Sequence, residues 1–533
     1  MKNKAIFILP PYGLDFGLFK VPSWDIQRIP PIGLMAIGSY LYANGHNVKI
    51  IDCRHLIAEY KTNDYIPLIL QIVDEFKPDM VGINILTALF NEAEKIASRL
   101  KKEFPGLTII AGGPHPSVEP TLTFQQNQHI DAICIGPGEE VCLDIMEGKE
   151  INDIDGLLLR GGGDKFKPRP VEMNIDKYPF PDYRLGNVDF YTAFTVNTTT
   201  GWGYKAVSVL TSRSCPYSCK FCAADWSKPF RYHSPEYVVE MVRYFSAYDI
   251  NVIAFCDDTI AAIRDRLYKI CEKFIGSKLF WPHSGLRWIV SMRANQVEPD
   301  LLKLMKSAGC FGVGIGVESG SDRMLKVINK KTTVEMNRRA CAYVKEAGLH
   351  LAASFMIGIP GETETEMNET ITFMQNLNIN TKGIGNFRPL PGSPFYNEFV
   401  KSGALSKKDI NWSNLGNFSV APEHLFCGVS TDRFEIISEK ATSVAYKNRW
   451  TAIHEETLLK FPKEIKNIAS RIKIKISKKD SYESSTHIAY TPFSIHLIYD
   501  TLLSTLRPFV PLKLRRRIRA LRGAVKKGNK KKK

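Results

Sequence analysis

The sequence predicts an α/β protein: a doubly wound, Rossmann-like parallel sheet, then a partial (β/α)6 barrel of TIM type, then a mainly helical C-terminal region. Three observations support this fold class. The 533 residues are too many for one ordinary hydrophobic core. Short apolar segments alternate with amphipathic helical segments in two separate blocks. This alternation stops near residue 420. We therefore predict domains at 1–150 and 201–420, an ordered linker at 151–200, and a helical region at 421–533 that ends in a basic tail.

The composition excludes several classes of protein. Hydrophobic residues make up 44% of the chain and charged residues 24%, which is typical of a globular protein and not of a disordered or fibrous one. Eleven cysteines are too few for a disulfide-stapled secreted domain. The first apolar run ends at Pro10, too early for a signal peptide, and no run approaches the roughly 18 apolar residues of a membrane span. We expect a reduced, cytoplasmic protein.

The positive charge is concentrated at one end of the chain. Lys and Arg exceed Asp and Glu by 16, and residues 507–533 hold 13 Lys and Arg with no acid, which leaves +3 for the rest. Nucleic acid is therefore an unlikely partner. Apolar and cationic residues interleave over 495–522, as they do in segments that lie on anionic membranes. One hypothesis is a peripheral enzyme at the inner face of the membrane with a lipid-like substrate; the alternative is a helix packed on the barrel with a solvated tail.

The first block predicts five parallel strands. They are expected at 5–10, 47–52, 80–85, 107–111 and 132–135, with helices at 32–44, 66–76 and 91–104. Ligands of such sheets bind beyond the carboxyl ends of the strands. Small residues in those loops let the backbone approach a bulky planar ligand closely. The candidate binding residues in these loops are Gly112, Gly113, Pro114, Gly136, Gly138 and Glu139.

The second block predicts the six strands of the partial barrel. The strands are expected at 206–210, 252–256, 288–292, 312–317, 351–357 and 383–387. The intervening helices are expected at 235–248, 264–275, 300–307, 333–347 and 364–375. In barrels of this type the reacting groups lie at the carboxyl ends of the strands.

A cysteine motif follows the first of these six strands. Cys215, Cys219 and Cys222 have the spacing C-x3-C-x2-C. Three thiolates in one loop can bind three irons of a cubane cluster and leave the fourth iron open for a substrate or cofactor. A structural zinc site is the alternative, but it needs a fourth ligand in a second motif, and His233 is badly spaced for that.

In this setting the motif, with the aromatic Phe221 before its last cysteine, resembles that of the radical S-adenosylmethionine superfamily. The resemblance implies a [4Fe–4S] cluster on the three cysteines, with S-adenosylmethionine bound to its open iron. It also implies an electron donor such as flavodoxin or ferredoxin. One electron would cleave the sulfonium and yield a 5′-deoxyadenosyl radical that abstracts hydrogen from the substrate.

Three further strand ends fit the same resemblance. Asp257 belongs to an acidic pair after the second strand, although a helix cap is an equally good reading of its neighbour Asp258. Arg293 follows the third strand and could pair with the carboxylate of S-adenosylmethionine, if it is not simply a surface arginine. Glu318, in Glu-Ser-Gly after the fourth strand, stands where the family contacts S-adenosylmethionine.

A doubly wound domain before such a barrel is similar to the arrangement of cobalamin-binding radical enzymes, and this resemblance implies cobalamin on the N-terminal loops. The Asp-x-His-x-x-Gly motif of other cobalamin proteins is missing from the chain. We therefore expect cobalamin with its nucleotide base detached and no histidine on cobalt; His55 and His115 are the alternatives. The resemblance implies methylation of an unactivated carbon in a small-molecule or lipid-like substrate. Oxidative cyclisation by the same architecture and a non-catalytic cluster scaffold remain open.

Overall fold

The computed structural model describes residues 3–11, 28–162, 166–192, 195–196, 203–223, 229–407, 410–412, 415, 422 and 424–460. Two six-stranded sheets dominate this part of the chain, one in each predicted α/β block. The interleaved apolar and cationic segment at 495–522 lies outside the described residues. No helix in the described ranges is long and apolar enough to cross a membrane.

The N-terminal sheet has the strand order β2-β1-β3-β4-β5-β6, and its first five members are parallel. This confirms the predicted doubly wound sheet. The strands are β1 (Lys4–Leu9), β2 (Asn47–Asp52), β3 (Met80–Asn84), β4 (Thr108–Gly112), β5 (Ala132–Cys134) and β6 (Leu157–Leu159). The helices are α1 (Ile32–Ala43), α2 (Cys53–Tyr60), α3 (Ile66–Phe76), α4 (Phe90–Glu103), α5 (Pro114–Val118), α6 (Pro120–Gln126) and α7 (Glu139–Met146).

The burial of the inner strand β1 is typical of a parallel sheet. Residues 5–9 are all buried, as expected for a strand covered by helices on both faces. In the register of the sheet, Phe7 lies between Ile50 of β2 and Gly82 of β3. The chain crosses over through a helix between each pair of neighbouring parallel strands, so all carboxyl ends meet at one edge.

The segment between the two blocks is ordered, and it does more than link them. Its strand β6 pairs antiparallel with β5 and so adds an edge strand to the N-terminal sheet, which the sequence pattern did not reveal. The segment also contains helix α8 (Val188–Thr192) and the two-residue strands β7 (Thr195–Val196) and β8 (Gly203–Tyr204). The domain boundaries at 150 and 200 remain predictions.

The second sheet has the order β9-β12-β13-β14-β15-β16, is entirely parallel, and forms the predicted partial barrel. Its strands are β9 (Ala206–Val209), β12 (Val252–Phe255), β13 (Arg287–Met292), β14 (Cys310–Glu318), β15 (His350–Ile357) and β16 (Thr381–Asn386). A short hairpin of β10 (Ser212–Arg213) and β11 (Arg231–Tyr232) flanks the cysteine motif. The helices are α9 (Pro235–Phe245), α10 (Arg264–Ser277), α11 (Pro299–Ser307), α12 (Asp322–Val327), α13 (Val334–Glu346) and α14 (Glu364–Asn376).

In the described part of the C-terminal region, α15 (Pro394–Lys401) and the long α16 (Thr431–Lys460) follow the barrel. Phe434, Ile437 and Ala441 of α16 are buried in one cluster with Ile357 of β15 and Ile371 of α14. The helix thereby covers the β16 edge of the sheet, which would otherwise expose unpaired backbone groups.

The opposite edge, strand β9, is capped by one tyrosine of the intervening segment. The hydroxyl of Tyr183 donates to the Ser208 carbonyl at 2.6 Å and accepts from the Ser208 N–H at 3.0 Å. Tyr183 is fully buried, and its ring packs against Phe245. The same segment reaches the N-terminal domain, since Tyr191 donates to Asp52 at 3.0 Å. It therefore fixes the two sheets relative to each other.

We expect Tyr183→Phe to lower the free energy of unfolding by about 1–3 kcal/mol, because it removes the hydroxyl that pairs with the half-buried Ser208 N–H and carbonyl at the sheet edge. Urea unfolding followed by circular dichroism measures this. Tyr42→Phe is the matched control: this ring is exposed, so its loss of a hydroxyl should change stability by less than about 0.5 kcal/mol. Equal midpoints for Tyr183→Phe and wild type would contradict the capping role.

Candidate functional site

The carboxyl ends of the two sheets face a common cavity of about 610 Å³. Both halves of the chain and the segment between them contribute to its wall. From the N-terminal domain the lining residues are Phe7, Ile32, Gly33, Leu34, Ala36, Ile37, Met80, Gly82, Ile83, Asn84, Ile110, Gly112, Gly113, Pro114, Cys134, Gly136, Pro137, Gly138, Glu139 and Cys142. From the segment and the barrel they are Tyr178, Pro179, Pro181, Leu210, Ser212, Arg213, Ser214, Cys222, Ala223, Arg231, His233, Tyr237 and Asp258.

The N-terminal part of the cavity is an apolar slot that runs between the sheet and helices α1 and α7. Its wall is mostly aliphatic, and burial raises the pKa of Cys134 to about 12, so this thiol stays uncharged. Gly113 has a φ of +101°, and a Cβ there would stand 2.3 Å from the Asn84 side-chain oxygen. A Cβ on Gly138 would stand 2.8 Å from Ile37 of α1. The positive φ therefore favours glycine at position 113, whereas a side chain at position 138 would have to displace the end of Ile37.

All six residues predicted in the N-terminal loops line this cavity: Gly112, Gly113, Pro114, Gly136, Gly138 and Glu139. Glu139 has a partner that the sequence did not indicate. Its carboxylate lies 2.7 Å from the Arg213 guanidinium, which also lies over the Tyr178 ring at 5.2 Å. Glu139 is buried and begins α7, so this ion pair connects an N-terminal loop to the residue two positions before Cys215. The sequence feature that could have indicated this contact was an arginine two positions before the cysteine motif.

The cysteine motif lies in the loop between β10 and β11, on the barrel side of the cavity. Cys222 lines the cavity, Cys219 is buried and Cys215 is half-buried. The loop is held from outside: Lys220 donates its N–H to Ile328 at 2.9 Å, and Asn329 donates to the Ser218 carbonyl at 2.8 Å. The structure therefore places the cysteines at the mouth of the barrel, next to the N-terminal slot.

The three thiols do not form a site for a single ion. No group of three or more His, Cys, Asp or Glu side chains within the described ranges is arranged to hold one metal. A cubane cluster binds each cysteine through a different iron, so its ligands stand farther apart than those of one zinc. Burial raises the pKa of Cys215, with a further contribution from Asp258, and the nearby Arg293 opposes it. The donor set fits a cluster better than the alternative zinc site.

The two acidic residues after β12 have different surroundings: one is hydrogen-bonded inside the protein and the other lines the cavity. Asp257, the predicted binding residue, is buried and does not line the cavity. It accepts hydrogen bonds from the N–H and hydroxyl of Thr211, at 3.0 and 2.9 Å, and from the hydroxyl of Ser212. Asp258 lines the cavity instead, and burial together with the charge of Asp257 raises the pKa of its carboxyl. Asp257 thus fixes the chain that enters the cysteine loop.

The other predicted residues of the barrel surround the cysteine loop but do not line the cavity. Glu318 has a φ of +65° at a register shift of β14, and Lys330 lies 2.7 Å from its carboxylate. Phe221 packs in the apolar cluster around Ile328. Arg293 is buried and donates to the sulfur of Cys219. Their predicted contacts with S-adenosylmethionine remain predictions.

One imidazole lines the cavity within the described ranges, and it belongs to neither His55 nor His115, the two histidines considered as cobalt ligands. His115 is fully buried between Phe90 and Trp412, and His55 lies 2.8 Å from the Asn187 amide. The lining residue is His233, which stacks on Tyr237 with ring centroids 3.8 Å apart.

His233 has its Nδ1 fixed by a carboxylate from the intervening segment. Asp176 lies 2.9 Å from this nitrogen and also accepts from the Ser234 N–H at 3.1 Å. Burial lowers the pKa of His233 to about 4, against the opposing effect of Asp176, so the imidazole is neutral near pH 7. No sequence pattern indicated this pair, since its members are 57 positions apart.

Comparison with protein families gives two matches in tandem. The model of the B12 binding domain matches residues 27–145, and that of the Radical SAM superfamily matches residues 209–374. An uncharacterised methyltransferase of Pyrococcus horikoshii is 32% identical over 423 residues, which cover 77% of this chain and 85% of that protein. The anaerobic magnesium-protoporphyrin IX monomethyl ester cyclase of Rubrivivax gelatinosus is 26% identical over 411 residues, 74% of this chain and 70% of the cyclase.

Among solved structures, the fold is similar to the radical S-adenosylmethionine methyltransferase TsrM of Kitasatospora setae with cobalamin and a [4Fe–4S] cluster bound. The TM-score is 0.64 at 16% identity, and the alignment covers 83% of this chain and 91% of TsrM. The tandem family matches and the relative from Pyrococcus show that this chain belongs to the cobalamin-binding radical S-adenosylmethionine enzymes, whose cofactors are cobalamin, S-adenosylmethionine and a [4Fe–4S] cluster.

Proposed function

We propose that this enzyme methylates an unactivated carbon of a small-molecule substrate. The observation that carries the proposal is the continuous cavity from the apolar slot of the N-terminal domain to Cys222 of the cluster loop. Methyl transfer between a corrin and a radical made at the cluster requires both cofactors to face one enclosed space. The methyltransferase among the relatives supports the same reaction class.

The described residues fit both absent groups. The glycine-rich loops after β4 and β5 would hold the corrin, and the aliphatic slot behind them would take its detached nucleotide base. Cys215, Cys219 and Cys222 would hold the cluster. When bound, these groups supply the transferable methyl and the radical chemistry, respectively.

The chain itself orients the two cofactor loops. The ion pair of buried Glu139 and half-buried Arg213 holds the α7 loop against the start of the cysteine loop. Because removing one member of a buried pair leaves an uncompensated charge, this contact resists separation of the loops. Asp257 fixes Thr211 and Ser212 from the other side. The apolar wall of the slot excludes water from the space between the loops.

The detached-base state is supported by the placement of the histidines. Neither His55 nor His115 lines the cavity, so the N-terminal domain offers no imidazole there within the described ranges. His233 belongs to the barrel side, and Asp176 fixes its Nδ1. We propose that it orients a hydrogen-bond donor of the bound corrin or substrate through its other nitrogen.

A low-potential flavodoxin or ferredoxin is the proposed electron donor, and a cytoplasmic location fits such a donor. Contact of the C-terminal tail with an anionic membrane, and with it a lipid-like substrate, rests on the sequence alone. Cyclisation is the second candidate function, because the Rubrivivax relative is named a cyclase.

Reaction products distinguish the two candidates. Anaerobically reconstituted enzyme is incubated with reductant, cobalamin, a small-molecule extract of its source and S-adenosylmethionine that carries a CD3 group. Methylation predicts a compound in which one CD3 replaces one hydrogen, together with 5′-deoxyadenosine. A product that has lost hydrogens at unchanged carbon count supports cyclisation. Failure to form any 5′-deoxyadenosine contradicts both.

Gly113→Ala should weaken cobalamin binding by about tenfold or more, equivalent to about 1.4 kcal/mol. The added Cβ is strained at a φ of +101° and would contact the Asn84 side chain at the cavity wall. Spectrophotometric titration with cobalamin measures the affinity. Gly148→Ala is the matched control, since Gly148 has a φ of +80° but open space around it and no part in the cavity. Equal affinities of the two variants would contradict the proposed corrin site.

Replacing Cys215, Cys219 or Cys222 by Ala should abolish the cluster absorbance, because each thiolate binds an iron that no neighbouring side chain reaches. Iron and sulfide content after anaerobic reconstitution provides the second measurement. Cys256→Ala is the control, since this exposed thiol stands outside the motif and its loss should leave the iron content unchanged. A variant of the motif that retained the wild-type iron content would exclude that cysteine as a ligand.

A further inference from the structure

Arg293 contacts the cysteine loop at two residues and the segment after α12 at a third. Its Nη1 donates to the Sγ of Cys219 at 3.1 Å, and its Nη2 donates to the carbonyl of Lys330. The guanidinium carbon lies 4.0 Å from the centre of the Tyr217 ring, a short distance for a cation over an aromatic face. The side chain is buried, so it is ordered by these contacts and not by solvent.

The surroundings hold Arg293 in this position. Gln296, in the turn after β13, accepts the Arg293 N–H at 3.0 Å and donates to the Tyr217 hydroxyl at 3.1 Å. The same Gln296 oxygen accepts from Thr259 at 2.5 Å. The guanidinium, the ring beneath it and the backbone that carries it thus belong to one hydrogen-bonded unit.

Among the residues that the structure describes, no carboxylate neutralises the charge of Arg293. No Asp or Glu within the described ranges forms an ion pair with it. The carboxylate of Glu318 already forms an ion pair with Lys330 at 2.7 Å. Because the buried guanidinium of Arg293 donates to the sulfur of Cys219, it interacts directly with any negative charge on that sulfur.

We propose that Arg293 tunes the redox potential of the cluster through an N–H···S hydrogen bond to Cys219, instead of binding the carboxylate of S-adenosylmethionine. This inference rests on the proposed function, because it requires the cluster on Cys219. Reduction adds one electron from the low-potential donor to the cluster and breaks no bond. A hydrogen bond and a positive charge at a ligand sulfur stabilise the reduced, more negative form, and so raise the midpoint potential.

The test measures the midpoint potential of the reconstituted cluster by redox titration followed by electron paramagnetic resonance. Arg293→Met removes both the charge and the donor, and should shift the potential to more negative values. Arg293→Lys keeps the charge without the planar donor geometry, and Arg293→Gln keeps a donor without the charge. Both should lie between Arg293→Met and wild type.

Arg243→Gln is the control, because Arg243 is exposed on α9 and pairs with Glu240 at 3.4 Å, so its replacement should leave the potential unchanged. Variants that hold a full cluster at the wild-type potential overturn the role of Arg293 but leave the proposed function intact. Wild-type protein that binds no cluster overturns the proposed function itself.

A second measurement needs no variant and therefore does not depend on folding of one. Wild-type protein labelled with 15N in arginine side chains is reduced and examined by electron spin echo envelope modulation. A 15N coupling that is absent from unlabelled protein supports the hydrogen bond to Cys219. Its absence from labelled, cluster-containing protein overturns it.

Discussion

The site depends on one geometric constraint: the carboxyl ends of the parallel strands in the two sheets must face each other. Every loop that could carry a cofactor lies at such an end, so the reaction requires the two domains to be held face to face. The ion pair of Glu139 and Arg213 holds them at the cavity, and Tyr183 and Tyr191 hold them at the sheet edges. Only Glu139 of these four residues was among the binding residues predicted from the sequence. They nonetheless determine whether the motif residues can act together.

The same constraint explains how the side chains around the cluster loop divide their roles. Residues that face the cavity are mostly small or apolar, with a few polar side chains such as Asp258 and His233 among them. Residues behind the loop, Asp257 and Arg293, have their polar atoms directed into the loop itself. A polar group at a strand end can therefore serve the chemistry directly or by positioning its neighbours, and only its hydrogen bonds distinguish the two.

Periodicity was sufficient to predict most of the regular structure. The five parallel N-terminal strands and the six barrel strands were predicted because each is a short, mostly apolar segment between turn residues, a local property. The three-residue strand β6 and the five-residue helix α5, which contains two prolines, were missed because no alternation of strands and helices was recognised around them. The ordered segment after residue 150 was recognised as a connection, but its pairing with β5 is a long-range contact.

The sequence by itself determined the fold class, the order of the domains and the three cysteines, because spacing along the chain is enough to define a loop that surrounds a cluster. The tertiary structure alone decided which polar residues face the cavity. Of the two adjacent aspartates it is Asp258 and not Asp257, and of the histidines it is His233 and not His115. A strand places neighbouring side chains on opposite faces, but which face is occupied depends on what packs there. Partners such as Asp176 for His233 and Cys219 for Arg293 are 57 and 74 positions away, so folding must bring them together.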